Sequence, residues 1–572
     1  MGIPLTNGHE YAHDSFIADK KQNYIQMKSK KLLYMAITGI LCVSTACTKL
    51  DENAYDQLLT DDFYNNKAEV LSAVLRPYTH ANAWVTPSGQ DGWWRPAELS
   101  GDQLAWPTKG RHGEDGGKWK RLHYHTWTTD EGGLNNAWSL MFWGMGLCND
   151  PIENISKRDI SKMGITQAEK DGYVAELKLL RAFHYLKLMD LFGNIPIVTQ
   201  VGVPAKPETM PRAEVFKFIE KEIKENIDKV PKLSRAMMGR MSQAGAYAML
   251  VELYLNAEVW TGTQRWDDCI AAANKLISGE AGGQNGAMAL DPNIIDTYKP
   301  ENDLSKEVIF SIAYNFSVAN FQPSWTGEFY HFKQQEIYGG GRNGNDGIVV
   351  IPGVYSTFEA ADQRRSNWML IGPMVKFTDG VTPVLASEEY AGQQLVFVDN
   401  IRKNKTNSTV TNMSEGEENS GVRFNKYKLG NQFPGPGGNP PINPNYNNTD
   451  WNIYRLTWIY FAKAEAIMRK NNKTANAEAV QLINDTKKRA FFAADWATRA
   501  YTPATLTMDE LLAERGREFI FEGFRRNDLI RFGKFSTAAW WDHTPTAATR
   551  ELFPIPQQQI NLNGNLKQNP GY

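Results

Sequence analysis

Residues Tyr173–Val198 read YVAELKLLRAFHYLKLMDLFGNIPIV. Val174, Leu177, Leu180, Phe183, Leu186 and Leu188 recur at a spacing that gathers side chains on one side of an α-helix, forming a broad apolar stripe. Gly193 can adopt the left-handed turn that closes a helix, and Pro196 cannot continue one, so the helix ends there.

The segments around it repeat the pattern. KAEVLSAVLRPYTHANAW (67–84) places Val70, Leu71, Val74 and Leu75 on one face, and LNNAWSLMFWGMGLCNDPIENI (134–155) resumes a helical period. RAEVFKFIEKEIKENIDKVP, SQAGAYAMLVELYLNAEVW and RWDDCIAAANKLI follow, with Ala244, Ala248 and Ala272 small enough for close helix approach. Near the end come RLTWIYFAKAEAIMRK and NAEAVQLINDTKKRA. Repeated helix pairs with Ala at packing points predict a mainly α fold, an irregular tetratricopeptide-like scaffold of about four pairs.

Residues 279–450 differ. Gly, Asn and Pro dominate in YGGGRNGNDG and NQFPGPGGNPPINPNYNN, which predicts a loop-rich second lobe set between a helical part at 47–278 and another at 451–572.

From Met27 the chain reads MKSKKLLYMAITGILCVSTACTKLDE. Lys28, Lys30 and Lys31 form a basic start, Leu32–Val43 an apolar run too short to span a membrane comfortably, and Ser44, Thr45 and Ala46 a small-residue site before Cys47. Residues 27–46 therefore read as an export signal, ending as the lipobox of a bacterial lipoprotein does; Cys47 is the expected acylated N-terminus, although Ser44 stands where Leu is common. Residues 1–26 lack this logic and read as an upstream extension, which leaves Met1 and Met27 as competing starts. Without residues 1–46, which hold five Lys and three Asp/Glu, the formal charge moves from -2 to -4. Such a balance provides no basic field for nucleic acid. Beyond Cys47, only Cys148 and Cys269 remain, both on apolar helical patterns and expected as buried thiols.

No HExxH, P-loop, GxSxG, Rossmann fingerprint or CxxC occurs. His123 and His125, two apart, would share a strand face as metal ligands, but no further Cys or His stands at metal spacing, which favours an ordinary hydrogen-bonded or surface pair. Glu514, Glu518 and Glu522 share one face of a continued helix; glycoside hydrolysis needs two carboxylates, yet Arg515, Arg517, Arg525, Arg526 and Arg531 interleave them and favour a structural ion-pair network. No cofactor is expected, with a structural calcium ion in NGNDG left open.

The stretch QDGWWRPAELSGDQLAW (90–106) carries Trp93, Trp94 and Trp106 among loop residues, near Trp84, Trp119 and Trp127. Trp138 and Trp143 sit on a helix and are expected in the core. Indole stacks on the C–H faces of sugar rings, and Asp91, Arg95, Asp102 and Gln103 would meet hydroxyls. Taken singly each ring reads first as a buried loop anchor, with at least one of the set expected as a platform, and adjacent Trp93 and Trp94 should divide the two jobs. A second candidate wall is Phe321, Trp325, Tyr330 and Tyr338 beside flexible glycines. The candidate ligand set is Trp84, Trp93, Trp94, Asp102, Trp106, Trp325, Tyr330 and Tyr338.

AELKLLRAFHYLKLMDLFGNIPIVT, GRMSQAGAYAMLVELYLNAE, RLTWIYFAKAEAI, INDTKKRA, ERGREFIFEGFRRNDLIRFGKF and ELFPIPQQQINLNGNLKQNPGY together resemble the signature blocks of the SusD/RagB family of outer-membrane nutrient-binding lipoproteins. The likeness runs from Cys47 to the C-terminus; Arg526-Asn527 before Asp528 is a small departure. It implies a SusD-like helical fold, a lipid anchor at Cys47 facing the exterior of a Gram-negative cell, no enzymatic activity, and a place over a SusC-like TonB-dependent outer-membrane barrel. An oligosaccharide is the implied ligand, with RagB-like peptide binding as the alternative and a surface glycoside hydrolase as a remote third. The shared blocks avoid the variable loops, so they transfer no ligand residue.

Overall fold

The helix expected around Leu180 runs Gln167–Phe192 in the computed structural model, which describes residues 63–87, 91–315, 323, 326–340, 342–427 and 448–572. The signal, Cys47, Phe321 and Trp325 lie outside the described residues. Thr166 starts the helix: its hydroxyl accepts from the Glu169 amide, and the Glu169 carboxylate accepts from the Thr166 amide at 2.8 Å, so two orphan donors are satisfied reciprocally. Gly193 closes it at φ +67.

The principal helices are α1 (Lys67–Val85), α2 (Trp94–Leu99), α3 (Lys118–His123), α4 (Gly132–Lys157), α5 (Gln167–Phe192), α6 (Arg212–Asn226), α7 (Gln243–Leu255), α8 (Trp266–Ile277), α9 (Leu456–Lys470), α10 (Ala477–Lys487), α11 (Met508–Phe519) and α12 (Arg525–Arg531). They pack as α1 with α4, α5 with α6, α7 with α8 and α9 with α10. α4 also lies on α5, and α8 on α9, which gives the tetratricopeptide-like stacking. Ala244, Ala248 and Ala272 are buried, as close approach of α7 and α8 requires. At Gly144 a Cβ would stand 2.2 Å from His184 Nε2, so glycine is needed where α4 crosses α5.

The apolar stripe on α5 is only part of its buried surface. Every residue from Leu179 to Phe192 is buried, because α5 has other elements on all sides. Its polar residues find partners accordingly: Arg181 with Glu222 at 2.6 Å, Lys187 with Glu252 at 2.7 Å and Asp190 with Arg526 at 3.2 Å. Apolar burial, at about 1.5–3 kcal/mol per large side chain, supplies the stability; the buried pairs roughly offset their own desolvation.

Residues 279–450 contribute short elements. Strand β1 (Leu104–Ala105) pairs antiparallel with β3 (Val349–Val350), and β2 (Val308–Ile312) with β4 (Trp451–Arg455). Among the described residues, no helix is long and apolar enough to cross a membrane.

Glu514, Glu518 and Glu522 do not occupy one helix. α11 ends at Phe519, and the chain turns through Phe521 (φ +76) and Gly523 (φ +91) before α12 begins. All three still join a buried ion network, but mostly with cations from elsewhere: Arg364 to Glu514 and Glu518, Arg455 to Glu518 and Glu522, and Lys426 to Glu522. Of the interleaved arginines only Arg517 binds one of them, Glu514. Arg515, Arg525, Arg526 and Arg531 go to Asp528, Asp102, Asp190 and Glu465. Arginines hold the Glu514 and Glu522 carboxyls below their usual range despite burial.

Candidate functional site

Gly92 brings the start of the tryptophan loop against α1: Trp93 N donates to Trp84 O at 2.7 Å, and a Cβ on Gly92 would stand 2.3 Å from the Trp84 backbone. That approach sends Trp93 and Trp94 inward. Trp93 donates its indole N–H to Asp190 at 3.2 Å and lies beneath the Lys187 ammonium at 4.4 Å; Trp94 donates to Phe521 O at 3.1 Å. Trp84 is also fully buried. Both members of the Trp93–Trp94 doublet are therefore anchors, contrary to the expectation that one is offered to solvent.

Asp102 is likewise structural in position, held in a fork by Arg525 Nε and Nη2, while Gln103 donates to Gly516 O at 2.8 Å. Trp127 is buried against Tyr572, whose hydroxyl accepts its N–H at 2.6 Å. Tyr330 and Tyr338 are buried, Tyr338 donating to Asn425 Oδ1 at 2.8 Å. Trp143, expected in the core with Trp138, is 56% exposed, because its position on α4 faces outward beside His80.

Among the described residues of the candidate ligand set, Trp106 is the one that lines an open site. The β1–β3 pairing, Leu104 with Val350 and Ala105 with Val349, carries the 326–347 segment to Trp106. A cleft of about 550 Å³ opens there, lined by Arg95 from α2, Lys118 and Trp119 from α3, Arg111 from the intervening loop, and Glu328 and Asn345 opposite. Asp115, Gly116 and Gly117 turn the chain through three positive-φ residues so that α3 can start beneath the cleft.

The floor is an aromatic pair. Trp106 and Trp119 stack with centroids 4.5 Å apart and planes 3° from parallel. The Arg95 guanidinium lies 5.5 and 5.2 Å from their ring centres, and the Lys118 ammonium 4.2 Å from that of Trp119. These are cation–π distances. Arg95 also pairs with Asp91 and, at 3.3 Å, with Glu328; Lys118 reaches Asp91 at 3.0 Å. Burial pushes the Glu328 carboxyl up, against the opposing pull of Arg95. The Trp119 N–H donates to Asp115 at 2.5 Å.

Behind the cleft, Lys109 is buried and donates to Gly347 O at 2.9 Å, and desolvation pushes its ammonium down to about 7. Asp346 of NGNDG, at φ +54, turns its carboxylate toward Arg423 and Lys109. Both cations meet Asp346 Oδ1, whereas its buried Oδ2 has no hydrogen-bond partner among the described residues. Among the described residues, no three His, Cys, Asp or Glu side chains come together as metal ligands. His123 and His125 are buried rather than strand-borne: His125 contacts Ser100 O at 2.8 Å, and the ring of His543 lies 4.3 Å from it. Burial pushes both imidazoles down to about 3.

Sequence reasoning singled out Trp106, Arg95 and Trp119 but missed Arg111, Lys118, Glu328 and Asn345. The signal was the KGRHGEDGGK run between Trp106 and Trp119, where basic residues punctuate glycines. The partner segment came close only through a two-residue strand pairing, which no periodicity reveals.

The sequence profile of the SusD family matches residues 262–572, and one described as "starch-binding associating with outer membrane" matches 48–255. The starch-binding protein SusD of Bacteroides thetaiotaomicron is 25% identical over 438 residues, covering 72% of this chain and 74% of its own. SusD-like protein P2 of Formosa agariphila is 23% identical over 575 residues, covering 96% of this chain and 100% of its own. The solved surface glycan-binding protein A from Bacteroides thetaiotaomicron, in complex with laminarihexaose, superposes with a TM-score of 0.63 at 18% identity, covering 88% of this chain and 99% of that one. With a family profile spanning more than half its length and a stacked helix-pair fold shared with solved SusD-like proteins, the chain belongs to the SusD family.

Proposed function

We propose that this chain is a glycan-binding lipoprotein of the outer membrane, anchored through Cys47 on the exterior face, that captures oligosaccharide and delivers it to a SusC-like TonB-dependent barrel without chemically altering it. The observation that carries the binding reading is the cleft over Trp106 and Trp119, where two stretches distant in sequence, Arg95 to Trp119 and Glu328 to Asn345, converge with charged and amide side chains around an aromatic floor. Relatives named as starch- or glycan-binding support the ligand class, and the profile description "associating with outer membrane" supports the location. The lipobox-like sequence before Cys47 supports the anchor.

Affinity electrophoresis and calorimetry against a polysaccharide panel test the ligand class. Binding to at least one glycan is expected, weakened by Asn345→Ala and by Phe332→Ala, whose side chain also lines the cleft. Binding to peptides with none to glycans would favour the RagB-like alternative, and new reducing ends on incubation would favour a hydrolase. Labelled palmitate incorporated by the wild type and lost in Cys47→Ala tests the anchor; co-purification with a barrel protein tests the partner.

A further inference from the structure

The aromatic floor of the cleft is not free for sugar stacking. Trp119 has Trp106 on one side and the Lys118 ammonium at 4.2 Å from its centroid. Trp106 is closely approached by Gly113 and Gly347, where a Cβ would stand 3.0 and 2.7 Å from indole atoms. Only 7% of Trp106 and 3% of Trp119 remains exposed. A neutral sugar that binds mainly through its C–H face has little ring surface to use here.

What the cleft does offer is positive charge with donors. Its carboxylates already face protein donors: Glu328 meets Arg95, and Asp115 accepts from the Trp119 N–H; beside it, Asp91 meets Arg95 and Lys118. Two guanidinium groups are differently placed. Arg111 is 77% exposed; it donates to His112 Nε2 at 3.4 Å and shares a solvent-exposed pair with Glu388 at 3.1 Å, contacts of small worth. Arg342 is exposed and forms no ion pair or hydrogen bond among the described residues. Its head stands beside the Glu328 segment, with Nη2 3.0 Å from where a Cβ on Gly327 would stand, and its charge acts on the cleft-lining Glu328. Neutral sugar hydroxyls require acceptors as well as donors, whereas a carboxylate or sulfate requires donors alone, and the planar guanidinium fork matches either anion in two parallel hydrogen bonds.

We infer that the cleft selects an anionic saccharide bearing carboxylate or sulfate groups, and that Arg111 at its rim and Arg342 beside Glu328 meet that charge. The inference rests on the glycan-binding reading and narrows its substrate class. Arg95 and Lys118 act from beneath, holding the aromatic floor and the positive potential in place, while the two exposed arginines supply the hydrogen bonds that distinguish an acidic unit from a neutral one. Because the rim groups are exposed, the attraction is screened by salt over about 10 Å at 0.1 M.

The test measures affinity of the full chain for polygalacturonate, its carboxyl-reduced product, chondroitin sulfate, its desulfated product, laminarin and poly-glutamate. Tight binding to polygalacturonate or chondroitin sulfate is expected, with loss on carboxyl reduction in the first case or on desulfation in the second, which separates the two sources of charge. Arg342→Ala and Arg111→Ala should each weaken that binding by about tenfold, the worth of one charge-assisted hydrogen bond, and raised salt should weaken it further. Both side chains are exposed, so circular dichroism and melting of the variants should match the wild type. Laminarin binding as tight as that of any acidic polymer, or variants that bind unchanged, overturns the charge inference and leaves glycan binding standing. Poly-glutamate binding as tight as the acidic sugars also overturns it, leaving a nonspecific anion surface. If no polysaccharide binds, the glycan reading fails and this inference falls with it.

Discussion

Arg364 Nη1 donates to Glu514 Oε1 at 2.8 Å across 150 residues of sequence, tying the loop-rich stretch to α11. Both side chains are fully buried, and Arg364 also binds Asp362 and Glu518. Removing one member of such a buried network leaves the remaining charges out of water and short of a partner, at about 3–5 kcal/mol. Arg364→Leu and Glu514→Leu should each lower unfolding stability by that order in urea titration. The double variant should lose less than the sum of the two single losses, because the stranded charge of each single variant is removed with it. Additive losses would mean that the pair is not coupled.

Gly92→Ala should destabilise the chain although it adds only a methyl group. That Cβ meets Trp84 backbone atoms at 2.3 Å, and backbone cannot rotate aside as a side chain can. Overpacking of this kind costs typically about 1–3 kcal/mol. Thermal melting checks it, with Gly146→Ala as a control, since nothing lies within 4 Å of a Cβ there; the control should be neutral or slightly stabilising because Ala favours helix.

The three outward- and inward-turned tryptophans should separate by stability. Trp93→Ala and Trp94→Ala remove buried rings and should cost about 3–5 kcal/mol each, with changes in near-ultraviolet dichroism. Trp143→Ala, at a 56% exposed position, should stay within about 0.5 kcal/mol of the wild type. Equal losses at the three positions would contradict the burial assignment.

The helix pairs were legible because their apolar spacing is local: Leu177, Leu180 and Phe183 announce α5 without reference to anything else. That α5 has no wet face was not legible, since Arg181, Lys187 and Asp190 look like solvent-facing residues until Glu222, Glu252 and Arg526 arrive from other helices. The same limit applies to the site. Composition marked the tryptophan loop as unusual, and Trp106 and Trp119 do form the cleft floor. Which ring faces inward was decided by Gly92 approaching Trp84, by β1 pairing with β3, and by Arg525 claiming Asp102. Each is a contact between distant residues with no periodic trace. The continuation of α11 to Glu522 failed for a related reason: a helical period in Glu514, Glu518 and Glu522 does not register the left-handed Phe521 that breaks it.

Glu98 provides a pH test with a definite sign. Its carboxylate receives the Gly523 amide, yet full burial pushes its pKa up to about 8 from 4.5, so the folded chain holds a proton that the unfolded chain has released. Between pH 4.5 and 8 the unfolded state therefore binds fewer protons at this site, and its stabilising contribution, complete below pH 4.5, is lost as pH rises through 8. His123 and His125, pushed down to about 3 from 6.5, slope the other way: their contribution is complete above pH 6.5 and is lost as pH falls toward 3. Whole-protein stability thus mixes opposite terms, and Glu98→Gln isolates one of them by keeping the shape without the titration. The stability of Glu98→Gln relative to the wild type should grow by on the order of 2 kcal/mol from pH 5 to pH 8 and level off above it. Urea titrations of both proteins at pH 5, 6.5, 8 and 9 measure this difference directly; a difference that stays constant across the range would mean that Glu98 is ionised in the folded chain.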